Sequence, residues 1–135
     1  MPDCSRAYRV AGTRLGEAAK TLVMIYKICD RAAWDAAARA GVYRGSEVDA
    51  RDGFIHFSAA AQLGETAARH FAGQTDLMLV AVDGDALGAA LKWEKSRGGD
   101  LFPHLYATLP VAAVRWTRTL ANEVNGVRRL PELKP

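Results

Sequence analysis

The sequence predicts an α+β protein with a small mixed or antiparallel sheet and two or three helices. Several short apolar segments have the length and β-branched content of strands, whereas only two or three segments have helical spacing. Strands and helices do not alternate regularly enough for a doubly wound parallel sheet. The chain has 135 residues, 50% of them hydrophobic and 24% charged, which is enough for one buried core.

The chain opens with a polar segment before its first strand. We expect residues 1–23 to form a poorly ordered N-terminal extension and residues 24–135 to form a single domain, with Met24 as a candidate natural start. Residues 22–28 are apolar and β-branched, which predicts a central strand at the beginning of that domain.

A capped helix, a loop and a short strand are predicted next. Asp30 is a typical N-cap for a helix over residues 31–40, and Gly41 is placed to end that helix in the left-handed conformation. Residues 43–53 are polar and contain glycine, which favours a surface loop. A short strand over residues 54–58 follows.

The second half of the chain is divided by caps and turn residues. Ser58 is placed to cap a second helix over residues 59–71, which Gly73 ends. The uninterrupted apolar run over residues 77–82 predicts a buried strand. The later elements are expected to be a helical turn over residues 83–90, mixed loop and strand over 91–106, a long strand over 111–119 and a turn at Asn125-Gly126.

Charge and cysteine content exclude several classes of protein. The net charge of +3 is unevenly placed, with a surplus of two in residues 1–23, but it forms no block of like charge, so a duplex nucleic-acid binder is not expected. No apolar run is long enough for a membrane span and no leader-type stretch is found, so we expect a cytoplasmic protein. Cys4 and Cys29 lack C-x-x-C spacing and predict no zinc site. A small molecule or a nucleotide is the expected partner.

Two segments of the same form carry the candidate chemistry. F-I-H-F-S and F-P-H-L-Y each place a histidine, His56 or His104, two residues after a phenylalanine and two before a hydroxyl. Side chains two apart in a strand share a face, so both imidazoles would enter one cleft if the strands are neighbours. The hydroxyls and apolar walls of that cleft would be Ser58, Tyr106, Phe54 and Phe102, a mixture typical of ligand pockets. A purely structural role for these side chains is the alternative.

The segment L-K-W-E-K-S-R-G-G-D before the second motif supplies further groups. Trp93 is a candidate for stacking on a flat ring, and Glu94 is a candidate general base or ribose anchor. Arg97 offers a fork for phosphate or carboxylate. Gly98 and Gly99 allow a tight turn close to a ligand, although the same residues would make an ordinary surface turn.

The candidate catalytic residues are therefore His56, Glu94 and His104. Their separation in sequence does not indicate a metal site, and no metal is expected. A serine hydrolase is disfavoured because the chain has no G-x-S-x-G motif and because Ser58 lies too close to His56.

These motifs resemble a bacterial family catalogued as a domain of unknown function, family 952. The resemblance runs over residues 25–114. Its motifs are I-Y-K-I from Ile25, W-D-A-A from Trp34, D-G-F-I-H-F-S from Asp52, T-A-A from Thr66, L-K-W-E from Leu91 and S-R-G-G-D-L-F-P-H-L-Y from Ser96. Some members are labelled as related to glutathione transferases, but this chain shows no thioredoxin-like start and no catalytic thiol.

A more distant resemblance is to the RNA 2′-phosphotransferases of the ADP-ribosyltransferase-like superfamily. It is carried by the order strand with H-x-S, helix, hydrophobic strand ending in Asp, S-x-G-G and a Leu-Pro-Val segment. The resemblance implies an NAD-like nucleotide as ligand, with its ribose held by His56 beside Ser58. It further implies that Trp93 or Tyr106 stacks on the nicotinamide ring. Arg97 would then meet a phosphate.

Three hypotheses stay open from the sequence. The first is an enzyme, a transferase acting on an NAD-like or ADP-ribosylated substrate. The second is a module that binds the metabolite without turnover, favoured because Asp52 and Phe54 stand where the phosphotransferases have an arginine and another histidine. The third is a partner-binding domain with structural histidines. The sequence does not indicate an oligomeric state.

Overall fold

The computed structural model describes residues 23–133 and confirms the α+β class. Three α-helices occur in this range: α1 (Arg31–Ala40), α2 (Glu47–Asp52) and α3 (Leu63–His70). The strands are β1 (Met24–Asp30), β2 (Val42–Tyr43), β3 (Ile55–His56), β4 (Leu77–Asp83), β5 (Leu91–Ser96), β6 (Asp100–Leu105), β7 (Leu109–Pro110) and β8 (Val114–Leu120). These strands pair antiparallel in three separate small sheets. Apart from Val23, the predicted N-terminal extension lies outside the described residues.

The central sheet has the strand order β1-β4-β8 and carries a core on each face. The apolar run of β4 is buried along its length because alternate side chains enter different cores. On one face Met78, Val80 and Val82 pack with α1. On the other face Leu77, Leu79 and Ala81 pack with α3. The predicted strand over residues 77–82 is confirmed.

The sheet that positions the candidate site has the order β3-β6-β5. Its middle strand, β6, contains the first four residues of the F-P-H-L-Y motif, and Tyr106 follows directly after it. The neighbouring β3 contains the histidine of F-I-H-F-S. Ile55 and Leu105 pair directly and both enter the core that also contains Val80. Burial of these side chains fixes the register of the two strands, because a one-residue slip would turn each apolar side chain to the other face.

Helix α1 has the predicted bounds and the predicted end. Gly41 has a φ of +86° and its N–H bonds to the carbonyl of Ala37, as in a left-handed C-cap. Asp30 has the extended backbone of an N-cap, but its side chain makes no capping hydrogen bond.

The prediction of a surface loop over residues 43–53 is wrong. Residues 47–52 form helix α2, and Tyr43 lies in β2. The helix begins at a capping box, in which the Ser46 hydroxyl accepts from the Asp49 N–H and the Asp49 carboxylate accepts from the Ser46 N–H. Local capping therefore prevails over the polar composition of the segment.

The predicted helix cap at Ser58 is also wrong. Its backbone pairs with Tyr26 of β1, and its hydroxyl shares a hydrogen bond of 2.9 Å with Thr66. The predicted helix over residues 59–71 becomes a 3-10 turn followed by α3, which ends at His70 rather than beside Gly73.

The late elements follow the sequence prediction with shifted bounds. The helical turn is a 3-10 segment over Gly84–Ala90, opened by an Asp83 carboxylate that accepts from the Asp85 N–H. Residues 91–106 form a hairpin of β5 and β6, and the last long strand begins at Val114. Asn125 and Gly126 make the predicted turn, both with positive φ. No helix within residues 23–133 combines the length and apolar content needed to cross a membrane.

Candidate functional site

The two histidines predicted to share a cleft are direct neighbours across β3 and β6. His56 pairs with His104 in register, and their ring centroids lie 5.6 Å apart in an edge-to-face arrangement. The ring of Phe54 stacks on His104 at 4.1 Å and tilts against His56 at 4.6 Å. Tyr106 completes the aromatic group, with its ring 5.2 Å from Phe54. We call these four residues with Glu94 the histidine cluster.

His104 is oriented by a carboxylate from the neighbouring strand. Its Nδ1 lies 2.8 Å from Oε1 of Glu94, and the same oxygen accepts a hydrogen bond of 2.8 Å from the Tyr106 hydroxyl. A carboxylate only accepts, so Nδ1 of His104 donates. These two hydrogen bonds hold the pKa of Glu94 below its usual value, and the second of them raises the pKa of the Tyr106 hydroxyl. Within residues 23–133, Nε2 of His104 has no hydrogen-bond partner.

His56 contacts a carboxylate through each ring nitrogen. Nδ1 lies 2.6 Å from Oδ1 of Asp49, and Nε2 lies 2.9 Å from Oδ2 of Asp52. The two carboxylates differ in setting, because Asp49 is 3% exposed whereas the Asp52 side chain is 36% exposed. The inner contact is thus sealed from water and the outer one is not.

Asp49 connects the histidine cluster to a buried lysine on the central sheet. Both of its oxygens accept from Nζ of Lys27, at 3.1 and 2.9 Å, and Oδ1 also accepts from the backbone N–H of His56 at 3.1 Å. Burial by itself would raise the pKa of Asp49. Hydrogen bonds from His56, the Lys27 ammonium and the backbone of Ser46 outweigh burial and hold that pKa well below its usual range.

The cluster opens to solvent on the side of His56 and Tyr106. The His56 side chain is 34% exposed, whereas the His104 side chain is only 6% exposed beneath Phe54. Lys92 of β5 is the cross-strand partner of His104. Its ammonium is 5.9 Å from the centre of the Tyr106 ring. The exposed surface therefore combines hydrogen-bond donors and acceptors with the positive charge of Lys92 and the aromatic ring of Tyr106.

Three predicted site residues are placed differently from the cluster. The hydroxyl of Ser58 bonds to Thr66, away from His56. Trp93 pairs with Pro103, which puts it on the face of β5 opposite to Glu94. Phe102 is the cross-strand partner of Glu94 and lies on the same face of the sheet, but it is buried and offers little surface to a ligand.

The glycine-rich segment forms the turn between β5 and β6. Arg97, Gly98 and Gly99 make up this turn, and both glycines have positive φ. The turn lies beyond the Ser96–Asp100 pair and begins three residues after Glu94, so roughly 10 Å away along the strand. The backbone is thus near the histidine cluster but not part of it.

Sequence reasoning missed Asp49, Asp52 and Lys27. The local signal for Asp49 was present, because S-E-V-D beginning at Ser46 fits the capping-box pattern that starts a helix. Nothing in the sequence linked Asp49 to Lys27, since the two residues are 22 positions apart on different elements.

Other groups in the structure are less suited to chemistry. Burial raises the pKa of the Cys29 thiol to about 11, so Cys29 is not a thiolate at neutral pH; Cys4 lies outside the described residues. No group of three His, Cys, Asp or Glu side chains in the described part of the chain is placed to hold a metal ion. A separate cavity of about 390 Å³ lies between α3 and the segment around Glu123 and Arg128.

Comparisons with known proteins identify a family and a similar protein of known structure. The family model described as protein of unknown function (DUF952) matches residues 28–117. A crystal structure of protein CC0527 from Caulobacter crescentus is similar with a TM-score of 0.76 and 52% identity, over 78% of this chain and 93% of that one. The solution NMR structure of CC0527 gives a TM-score of 0.70 and 52% identity, over 78% and 91%. The comparison with curated proteins gives no match.

Proposed function

Because this chain belongs to the DUF952 family of proteins of unknown function, we propose its function from the histidine cluster. The proposal is that the cluster binds an NAD-like or ADP-ribose-like nucleotide and that the chain acts on it as a transferase of ADP-ribosyltransferase-like type. One observation carries it: His56 and His104 are cross-strand neighbours, and a carboxylate orients each ring through Nδ1. Ring orientation by a carboxylate is a common device where an imidazole acts on a ligand.

The exposed groups suit the parts of such a nucleotide. Glu94 and Nε2 of His104 offer acceptors to ribose hydroxyls, and the Tyr106 ring is exposed for stacking on a flat base or nicotinamide. Lys92 supplies a positive charge near Tyr106 for a phosphate. Asp52 and Glu94 are negative, so the phosphates would lie toward Lys92 and away from these carboxylates.

The contacts divide the roles between the two histidines. In the neutral His104 ring, Nδ1 donates to Glu94 and Nε2 can take up a proton, so His104 is the candidate acid or base. Glu94 has a lowered pKa and is a poor base at neutral pH, so it orients His104. His56 has a partner at both nitrogens and is better suited to binding than to proton exchange.

A second function is favoured by the burial of His104. With its side chain 6% exposed and Phe54 stacked at 4.1 Å, the ring has little access to a reacting atom unless Phe54 moves. This observation supports a module that binds the same nucleotide without turnover.

Calorimetry on the full chain tests the binding proposal. NAD, ADP-ribose and AMP would be titrated into wild type, His56→Ala and His104→Ala, with His70→Ala on α3 as the matched histidine control. We expect one of these nucleotides to bind wild type and the control equally. Loss of either cluster histidine should weaken it about 5- to 100-fold, since leaving a buried hydrogen-bonding group without its partner costs about 1–3 kcal/mol. No binding to wild type, or equal binding by all four proteins, contradicts the proposal.

Turnover separates the enzyme from the binding module. The full chain would be incubated with NAD, with water as the acceptor of the ADP-ribosyl group, and the solution analysed by mass spectrometry for nicotinamide and ADP-ribose. Release that disappears in His104→Ala but persists in His70→Ala supports the enzyme. Binding of NAD with no release at all supports the module.

A further inference from the structure

Asp49 is the most heavily bonded side chain in the described part of the site. It is 3% exposed and accepts from Nζ of Lys27 with both oxygens, from the backbone of Ser46, and from both the backbone N–H and Nδ1 of His56. Its carboxylate thus ties helix α2, strand β1 and strand β3 together at one point.

We propose that Asp49 is the positioning residue of the histidine cluster: it fixes the ring of His56 and keeps hydrogen on Nδ1, while Lys27 balances its charge. The proposal deepens the proposed function. Its binding test rests on that function, whereas its NMR tests do not. The direct consequence is that Nε2 of His56 points outward, toward exposed Asp52 and the solvent.

The geometry leaves the His56 ring little freedom. Its backbone N–H and its Nδ1 bond to the same oxygen of Asp49, at 3.1 and 2.6 Å, so a rotation of the ring breaks the shorter bond. The carboxylate is itself constrained, because Lys27 donates to both of its oxygens and the capping box of α2 fixes its backbone.

The backbone before α2 is packed against Asp49. A Cβ added to Gly45 would lie 2.8 Å from Cβ of Asp49, closer than real contacts allow, and Gly45 has a φ of +103°. Gly53, at the other end of α2, has a comparable φ of +87° but open space around its Cβ position. An alanine at either position strains the backbone, but only the one at position 45 displaces Asp49.

Fold stability alone does not account for this arrangement. Replacing a buried ion pair by apolar side chains of similar volume is often neutral or stabilising. The contact with His56 is what such a replacement would lose, and it links the buried pair to the exposed cluster.

Nitrogen-resolved NMR of the imidazole rings tests the proposal directly. In ¹⁵N-labelled full-length wild type we expect Nδ1 of His56 to carry hydrogen. The double variant Lys27→Met/Asp49→Leu removes the acceptor and the unpaired charge together, so Nδ1 should lose its hydrogen while Nε2 keeps the one that it donates to Asp52. Lys27→Met alone keeps Asp49 in place and should leave the hydrogen on Nδ1. A bare Nδ1 in wild type, or an unchanged Nδ1 in the double variant, overturns the proposal.

The glycine variants keep the test valid if the double variant does not fold. Gly45→Ala should shift the Nδ1-bound proton of His56 upfield by lengthening the hydrogen bond, whereas Gly53→Ala should leave it in place. Equal proton positions in the two variants would overturn the proposal.

A binding arm distinguishes the two proposals. ADP-ribose affinity should fall about tenfold in Lys27→Met/Asp49→Leu relative to Lys27→Met. If wild type binds no nucleotide while the hydrogen still leaves Nδ1 in the double variant, the proposed function fails and the positioning role stands. If wild type and the double variant bind equally, the positioning role fails and the proposed function stands.

Discussion

The buried pair of Lys27 and Asp49 gives a quantitative prediction about stability. Asp49→Asn keeps the shape and one acceptor oxygen, but it leaves the Lys27 ammonium buried without a counter-charge. Breaking a buried pair in this way costs about 3–5 kcal/mol, which corresponds to a fall in melting temperature of about 10–20 °C for a domain of this size. Lys27→Met should cost less, because the Asp49 carboxylate keeps its bonds to His56 and Ser46.

A double-mutant cycle measures the interaction itself. Wild type, both single variants and Lys27→Met/Asp49→Asn would be unfolded in urea and followed by circular dichroism. We expect the double variant to be more stable than the sum of the single losses by about 1–3 kcal/mol, as for residues in direct contact. The exposed pair of Glu65 and Arg69 on α3 is the control, and Glu65→Gln should cost less than about 0.5 kcal/mol. Additive losses at Lys27 and Asp49, or a loss at Asp49→Asn as small as the control, would refute this reasoning.

Three further predictions follow from the surroundings of Asp49. Because its pKa is lowered on folding, its contribution is complete above about pH 4 and is lost as the pH falls. The urea midpoint of wild type should therefore drop more steeply from pH 5 to pH 3 than that of Lys27→Met/Asp49→Asn, and parallel curves would contradict this. Asp52→Asn removes an exposed carboxylate from Nε2 of His56 and should raise ADP-ribose affinity about 2- to 5-fold in calorimetry; a weaker affinity would show that Asp52 itself binds the ligand. Gly45→Ala should lower stability in urea by about 1–3 kcal/mol more than Gly53→Ala, and equal losses would show that the contact with Asp49 is not tight.

The elements set by local rules were predictable from the sequence. The apolar run of β4 and the capped helix α1 were both found at nearly their observed bounds. The shared face of His56 and His104 could also be predicted. Each histidine is next to an apolar residue, Ile55 or Leu105, that strand alternation assigns to the core, so both histidines point to the other face. These features depend on side chains close in sequence or on strand alternation.

The wrong predictions for site residues arose where strand alternation was extended past the end of a strand or was not applied within one. Strand β3 ends at His56, after which the backbone of Ser58 joins Tyr26 in a different sheet, so the period of two fails there. Trp93 and Glu94 are adjacent in β5 and therefore point to opposite faces of the sheet. The sequence predicted mixed loop and strand over residues 91–106, so strand alternation was not applied to these two side chains.

Long-range polar contacts could not be predicted from one sequence. The buried Lys27–Asp49 pair joins two elements through a contact that no local pattern encodes, although the capping box did mark the helix. The ADP-ribosyltransferase-like assignment likewise stays a prediction, because neither the match to the DUF952 model nor the similarity to CC0527 tests it.

Mapping of a bound nucleotide by NMR tests the role of the histidine cluster most directly. ADP-ribose would be titrated into the ¹⁵N-labelled full chain while backbone amide and imidazole shifts are followed. We predict that the largest, saturating shifts occur at His56, His104, Glu94 and Tyr106. Shifts confined to the cavity beside Arg128, or no saturating shift anywhere, would contradict the assignment of a nucleotide site to this cluster.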